Sequence, residues 1–225
     1  MTGVPLRVLS YNVHGLKDDR PALTGLVREL EPDVVIVQEA PRRFRWRHKS
    51  AALADDCGLV VGAGGLPALG NLLLVNLRLR VHEQWSLRYP LTPGRHLRGA
   101  AFARCSVRGA TFTISGSHLA TDPVERPAQA AQWKAELGRL EGPVIAAGDL
   151  NEGPGGGAWR TVADGFAPNS SSALTFPATL PRVRLDTVFV SPDISVESYE
   201  VIDTDQARAA SDHLPVVVDL ELPSS

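Results

Sequence analysis

Short apolar runs, many bounded by Gly, Pro or Asn, recur along the whole chain and set its expected elements. Nine read as strands: Leu6 to Tyr11, Val34 to Val37, Leu59 to Val61, Leu72 to Leu77, Ala100 to Val107, Thr111 to Ser117, Val144 to Ala147, Leu185 to Val190 and Leu214 to Leu220. Helical spacing occupies about Arg20 to Leu30, Pro41 to Ala54 and Val124 to Leu140; the last follows Asp122-Pro123, which resembles an N-cap with proline at the first helical position. Strands alternate with helices early and follow one another directly from Leu72 to Ser117. A mixed sheet or two packed sheets is therefore expected rather than a purely parallel one. Pattern alone reaches the class α/β or α+β. Gly153-Pro154-Gly155-Gly156-Gly157 reads as a loop with no helical or strand role.

Composition narrows the class. With 44% hydrophobic and 21% charged residues in 225, the chain has the makeup of a soluble globular protein with a sizeable core, and it is expected to form one domain over residues 1–225. A formal net charge of -2 gives no overall field for a polyanion, so any attraction to phosphate has to be local. Cys57 and Cys105 stand far apart and outside any Cys-x-x-Cys spacing, which argues against a disulfide framework or a structural zinc site and fits a reducing cytoplasm. The start has no basic segment followed by an apolar run. No stretch reaches the roughly 18 apolar residues that span a membrane. A cytoplasmic, untargeted monomer is the expectation.

The positions of the polar residues carry the functional signal. Leu6 to Tyr11 leads to Asn12, Val34 to Val37 leads to Gln38-Glu39, Thr113 to Ser117 leads to His118, and Val144 to Gly148 leads to Asp149-Leu150-Asn151. Each alone has an ordinary reading: a solvated strand-end Glu, a turn-forming Asn, an Asx turn, a structural His. Polar groups at strand ends also converge on one rim of a sheet, where ligand sites commonly lie. Ser211-Asp212-His213 places two more such groups just before another apolar run; a given tripeptide of this kind arises by chance in on the order of one in fifty chains of this length. With Asp186 inside Arg184-Leu185-Asp186-Thr187-Val188, coincidence becomes a poor explanation.

In this order and spacing the segments resemble the motifs of the endonuclease/exonuclease/phosphatase superfamily. Ser10-Tyr11-Asn12-Val13 is similar to its first motif, Gln38-Glu39 to its metal-ligand motif, Gly70-Asn71 to a family-typical segment and Ser117-His118-Leu119 to its histidine strand. Gly148-Asp149-Leu150-Asn151, Arg184-Leu185-Asp186 and Ser211-Asp212-His213-Leu214-Pro215 complete the set. One departure is Thr187, where the family often has an aromatic residue or His. The resemblance implies a four-layer α/β sandwich of the deoxyribonuclease I type, two packed mixed sheets flanked by helices, with the site at one end. It further implies a Mg²⁺-dependent phosphoesterase, with Mn²⁺ as a substitute.

In that reading Glu39 ligates the metal, Asp212 is a second ligand in preference to a partner of its neighbours, and Asn12 orients Glu39 or the ion's water shell. Asp149 is the general base, Asn151 places the water or a phosphoryl oxygen, His118 and His213 donate to non-bridging oxygens, and Asp186 orients His213 and favours its charged form. Arg98 is a phosphate contact by the same resemblance, or equally a surface arginine at a strand start. Pro41 to Lys49, rich in Arg and carrying Phe44 and Trp46, reads as the start of a basic helix beside Glu39, with Arg42 and Arg45 as substrate contacts; the alternative is a solvated helix face with both rings turned to the core. A nuclease-type phosphodiesterase acting on DNA or RNA is the leading expectation. Next come a lipid or small-molecule phosphoesterase, then an inactive scaffold of the same fold. Serine-hydrolase, P-loop and His-Glu-x-x-His signatures are missing.

Overall fold

The structure, a computed structural model, describes residues 3–167 and 171–224. Its first sheet has the order β10-β11-β1-β2-β4-β3, built from β1 (Val4–Asn12), β2 (Val34–Gln38), β3 (Val60–Gly65), β4 (Asn71–Val75), β10 (Ser195–Val201) and β11 (Val216–Leu222). The second has the order β5-β6-β7-β8-β9, from β5 (Arg80–Arg88), β6 (Gly99–Val107), β7 (Ala110–His118), β8 (Val144–Asp149) and β9 (Asp186–Val190). Each sheet contains one parallel pair, β1 with β2 and β7 with β8, among antiparallel neighbours. Both sheets are therefore mixed.

Period-two alternation decides what each strand face meets. In β1, Val4, Leu6 and Val8 enter the core between the sheets while Leu9 and Tyr11 face outward; in β2, Val34 and Ile36 point in and Val35 and Val37 out. The outward set is covered by α1 (Arg20–Leu30), α2 (Trp46–Asp56) and α5 (Asp205–Ala210), through residues such as Leu23, Leu53 and Ala207. On the far side Ala100 and Phe102 of β6 and Ala146 of β8 pack under α3 (Arg126–Leu137) and α4 (Gly157–Ala163), with Trp133 and Trp159. Helices, sheet, sheet and helices make the four layers. Because both faces of the central strands are covered, their sequences are nearly continuous apolar runs.

Small residues let the sheets close on each other. A Cβ added at Gly116 would lie 2.5 Å from Ile36 Cγ2 across the interface, and one at Gly148 would lie 1.8 Å from the Ser117 carbonyl oxygen, its register partner in β7.

Two expected boundaries shift. The helix expected from Pro41 begins only at Trp46, because Arg45 adopts a left-handed backbone (φ 58) that ends the preceding loop, so the cations at 42, 43 and 45 lie before the helix. The helix expected from Val124 runs only from Arg126 to Leu137; Asp122 caps the Val124 N–H in a turn instead, and the proline in the first helical turn is Pro127. Five elements had no expectation: the short 3-10 turn His14–Leu16, β5, β10, α5, and α4, which grows directly out of the glycine-rich loop. No helix among the described residues is long and apolar enough to cross a membrane.

Candidate active site

The two parallel pairs bring the carboxyl ends of β1, β2, β7 and β8 to one end of the sandwich. Asn12 pairs in register with Gln38, immediately before Glu39, and His118 with Asp149. Asp186 opens β9 opposite Asp149 in the antiparallel direction, and Asp212-His213 lie just before β11, whose Val216 pairs with Ser10. All the strand-end residues singled out in the sequence thus share one rim.

Asp149 is the centre of the cluster. Its carboxylate is 1% exposed and accepts from Asn12 Nδ2 at 3.0 Å, across the gap between the sheets, and from the Asn151 backbone N–H at 2.9 Å. His118 Nε2 lies 3.3 Å and His213 Nε2 3.7 Å from its Oδ2. Burial and the neighbouring Asp186 charge push the Asp149 carboxyl up to about 7, against the pull of His213 and the two hydrogen bonds.

The two imidazoles are in opposite states. Burial lowers the pKa of His213, but Asp186, which sits 2.8 Å from Nδ1, reverses this together with Asp149 and Asp212, raising it to about 9. The ring also packs on Phe176, 4.7 Å between centroids. His118 is held well below its usual value by burial and by Arg98, whose guanidinium approaches Nδ1 at 2.9 Å. Arg98 can only donate, so Nδ1 accepts and the single proton of the neutral ring sits on Nε2, facing Asp149. Asn151 Nδ2 also lies 2.9 Å from Nε2, and it donates to the Leu119 carbonyl at 2.9 Å. A neutral ring cannot accept at both nitrogens, so the charge-assisted Arg98 contact is taken as the hydrogen bond.

Glu39 and Asp212 stand nearer the solvent, with side chains 34% and 39% exposed; Glu39 Oε1 is 4.0 Å from His118 Nδ1 and Asp212 Oδ1 is 3.8 Å from His14 Nδ1. Glu39 (φ 58) and Asn151 (φ 50) both adopt the left-handed backbone, uncommon for a Glu and frequent at functional sites. Asp149, Asp186 and His213 also form a compact group at ligand-like spacing, within 4.8 Å of one another.

Beside the cluster lies a groove of about 740 Å³, lined by Glu39, His118, Arg98 and Arg42 and further by Lys17, Arg20, Arg43, Lys49 and His96. Arg42 Nη1 bonds the Leu69 and Leu97 carbonyls at 3.3 and 3.2 Å. Arg45 is exposed and is not among the groove-lining residues, whereas its neighbour Arg43 is. Several supporting residues had no expected role. Ser211 Oγ donates to the Asn12 carbonyl at 2.6 Å, Thr175 Oγ1 accepts from the Asp186 N–H at 3.2 Å, and Phe176 backs His213. Ser211 lay inside a motif, but nothing local marks Thr175 or Phe176.

No curated protein matches the chain significantly. Among solved structures, an endonuclease/exonuclease/phosphatase from Bacteroides vulgatus superposes with a TM-score of 0.80 at 17% identity, covering 98% of this chain and 100% of that one. A mannosyl-6-phosphatase from Bacteroides thetaiotaomicron gives 0.78 at 20%, covering 96% and 99%. D. rerio TDP2 complexed with a single-strand DNA product gives 0.74 at 19%, again covering 96% and 99%. At such identities the likeness is one of fold. A model of the Endonuclease/Exonuclease/phosphatase family matches residues 9–213, from β1 through every polar strand end to His213. The fold, the rim and that match agree, and the chain belongs to the endonuclease/exonuclease/phosphatase family.

Proposed function

We propose that the chain is a divalent-metal phosphoesterase, acting on a phosphodiester of nuclease type, with Asp149 as its base. The observation that carries this reading is Asp149 itself: a buried carboxyl pushed up to about 7, ringed by Asn12, His118 and His213, at the edge of a cationic groove. A base poised near neutral pH suits proton removal from water. Burying such a group costs stability, which a mere scaffold has no reason to retain.

Two donor sets offer themselves for a cation. The buried trio Asp149, Asp186 and His213 is committed internally, since Asp186 Oδ2 holds His213 Nδ1 and Asp149 Oδ2 holds Asn12. Glu39 and Asp212, partly exposed hard oxygens, fit Mg²⁺ or Mn²⁺ better, because such an ion keeps several waters and takes one or two carboxylates. When bound there, the ion supplies charge relief at the phosphoryl and leaving oxygens.

The chain's own residues do the rest. Asp149 takes a proton from the attacking water as its oxygen bonds to phosphorus, while the P–O bond to the leaving alcohol breaks on the opposite side and the departing oxygen takes a proton from solvent water. His118 Nε2 faces Asp149 and so is assigned to orient it, rather than to contact phosphate. His213, kept cationic by Asp186, and Arg98 face developing negative charge on the non-bridging oxygens. The Asn151 N–H fixes the Asp149 carboxylate.

A panel of single-stranded DNA, abasic duplex, RNA, sphingomyelin and sugar phosphates, assayed with Mg²⁺, with Mn²⁺ and with chelator, tests the reading. Cleavage of a nucleic acid that requires the cation is expected. Turnover of none, or turnover undiminished by chelation, would refute it.

A further inference from the structure

The groove carries more positive charge than one phosphodiester requires. Lys17, Arg20, Arg42, Arg43, Lys49 and Arg98 line it, and Glu39 is the lone carboxylate among the lining residues. Of those six cations only Arg20 is paired with a carboxylate among the described residues, Asp56 at 2.6 Å. A scissile diester brings a single negative charge, so the surplus along Arg42, Arg43 and Lys49 fits further phosphates of the same ligand.

Phe44 adjoins this track. It follows the groove-lining Arg43, precedes Arg45, and is 84% exposed. Burying such a ring is ordinarily favourable, so exposure to this degree is not the default for it. The loop that presents it is anchored on both sides. Arg42 bonds the Leu69 and Leu97 carbonyls, and Trp46 packs over Gly65, with the Arg47 guanidinium 4.6 Å from its ring. Phe44 is itself outside the groove lining, so its exposed ring stands next in the chain to Arg43, at the margin of the groove's cations.

We propose that a single-stranded nucleic acid lies along this groove, its phosphates on Arg42, Arg43 and Lys49 and one base stacked on Phe44. This deepens the phosphoesterase reading and rests on it. Stacking requires a base face that a duplex keeps occupied, which favours a single strand. The unpaired cations line a concave groove of about 740 Å³, which a strand enters and a flat lipid surface does not.

Binding is best read without turnover, on the full chain carrying Asp149→Asn, by fluorescence anisotropy. The probes are a labelled oligothymidylate of about twelve nucleotides, within the usual site sizes, an abasic strand of the same length, and phosphatidylcholine/phosphatidylserine vesicles. The oligothymidylate is expected to bind roughly 10-fold tighter than the abasic strand, the range set by one stacked base. Adding Phe44→Ala should erase that difference without changing the salt slope, and Phe44→Trp should restore it. Adding Arg43→Ala should lower the salt slope by about one on both strands. Equal binding of the two strands, an unaltered preference in Phe44→Ala, or vesicle capture that depends on Phe44 in place of strand binding would each overturn the proposal. Failure to hydrolyse any ester would sink the phosphoesterase reading while leaving these binding results as they are; hydrolysis without the Phe44-dependent preference would sink this inference alone.

Discussion

Asp186→Asn separates charge from position at the His213 ring. The amide oxygen still accepts from Nδ1 over the 2.8 Å contact, so the ring keeps its orientation while the negative charge is lost. His213 stands at about 9 in the folded protein, against burial that alone would lower it. Relative to an ordinary 6.5, that gap is worth about 3 kcal/mol at 1.36 kcal/mol per unit, and Asp186 is the largest contribution raising it. Removing the charge should return His213 to near 6.5 or below. At pH 8 the imidazolium fraction then falls from about nine tenths to about one thirtieth, a loss of roughly 30-fold in kcat/KM if the cation serves the phosphoryl oxygens. Asp149 moves in the same direction, since the Asp186 charge also helps raise it. The bell-shaped profile, rising through about 7 and falling through about 9 without a bound cation's influence, should shift as a whole towards acid, and activity should recover near pH 6. The assay is kcat/KM for bis-p-nitrophenyl phosphate across pH 5 to 10 with a divalent cation. An alkaline limb that stays put in Asp186→Asn would refute the assignment of His213.

Three further outcomes follow from the same geometry. Glu39→Gln should raise the cation concentration for half-maximal activity by roughly 10-fold or more while leaving the fold intact, measured by titrating Mg²⁺ and Mn²⁺ into the assay. Gly148→Ala should cost several kcal/mol or prevent folding, because its Cβ would lie 1.8 Å from the Ser117 carbonyl oxygen between two paired strands; a urea midpoint at or near the wild-type value would contradict this. The raised His213 contributes stability that is present in full below about 6.5 and lost as pH rises through about 9, worth about 3 kcal/mol, and Asp149 loses more as pH rises through about 7, so the free energy from urea unfolding should fall by at least about 3 kcal/mol between pH 6 and 10, and by much less in Asp186→Asn.

The sequence made the best-determined elements legible for local reasons. The helix α1 keeps its expected bounds because Asp19 caps the Ala22 N–H, proline occupies its first turn, and Leu23, Leu26 and Val27 fall on one face. The inner strands β2 and β8, buried on both faces, announce themselves as apolar runs. The edge strands β5 and β10 do not, since their exposed, polar residues carry neither a run nor a clean alternation. The α2 boundary hinges on a left-handed Arg45 that no composition signals, and α4 emerges from glycines that read as a loop.

At the candidate site the strand ends were visible as polar residues closing apolar runs. Which of them touch was not. The Asn12 to Asp149 bond joins the two sheets across 137 residues of chain, and the Arg98 to His118 contact that sets a tautomer depends on β6 and β7 lying side by side. Such pairings are set by tertiary packing, not by local pattern. The same holds for the basic loop, where Arg43 and not Arg45 reaches the groove and where Phe44 turns to solvent instead of the core.

Turnover of bis-p-nitrophenyl phosphate by the intact chain and by Asp149→Asn, at saturating Mg²⁺ and pH 8, probes the central claim most directly. A working base at Asp149 predicts a fall in kcat of roughly 100-fold to 10,000-fold with an unfolding midpoint at or above that of the parent, since the variant no longer buries a charge. Activity retained in Asp149→Asn, in a protein that folds as the parent does, would contradict it.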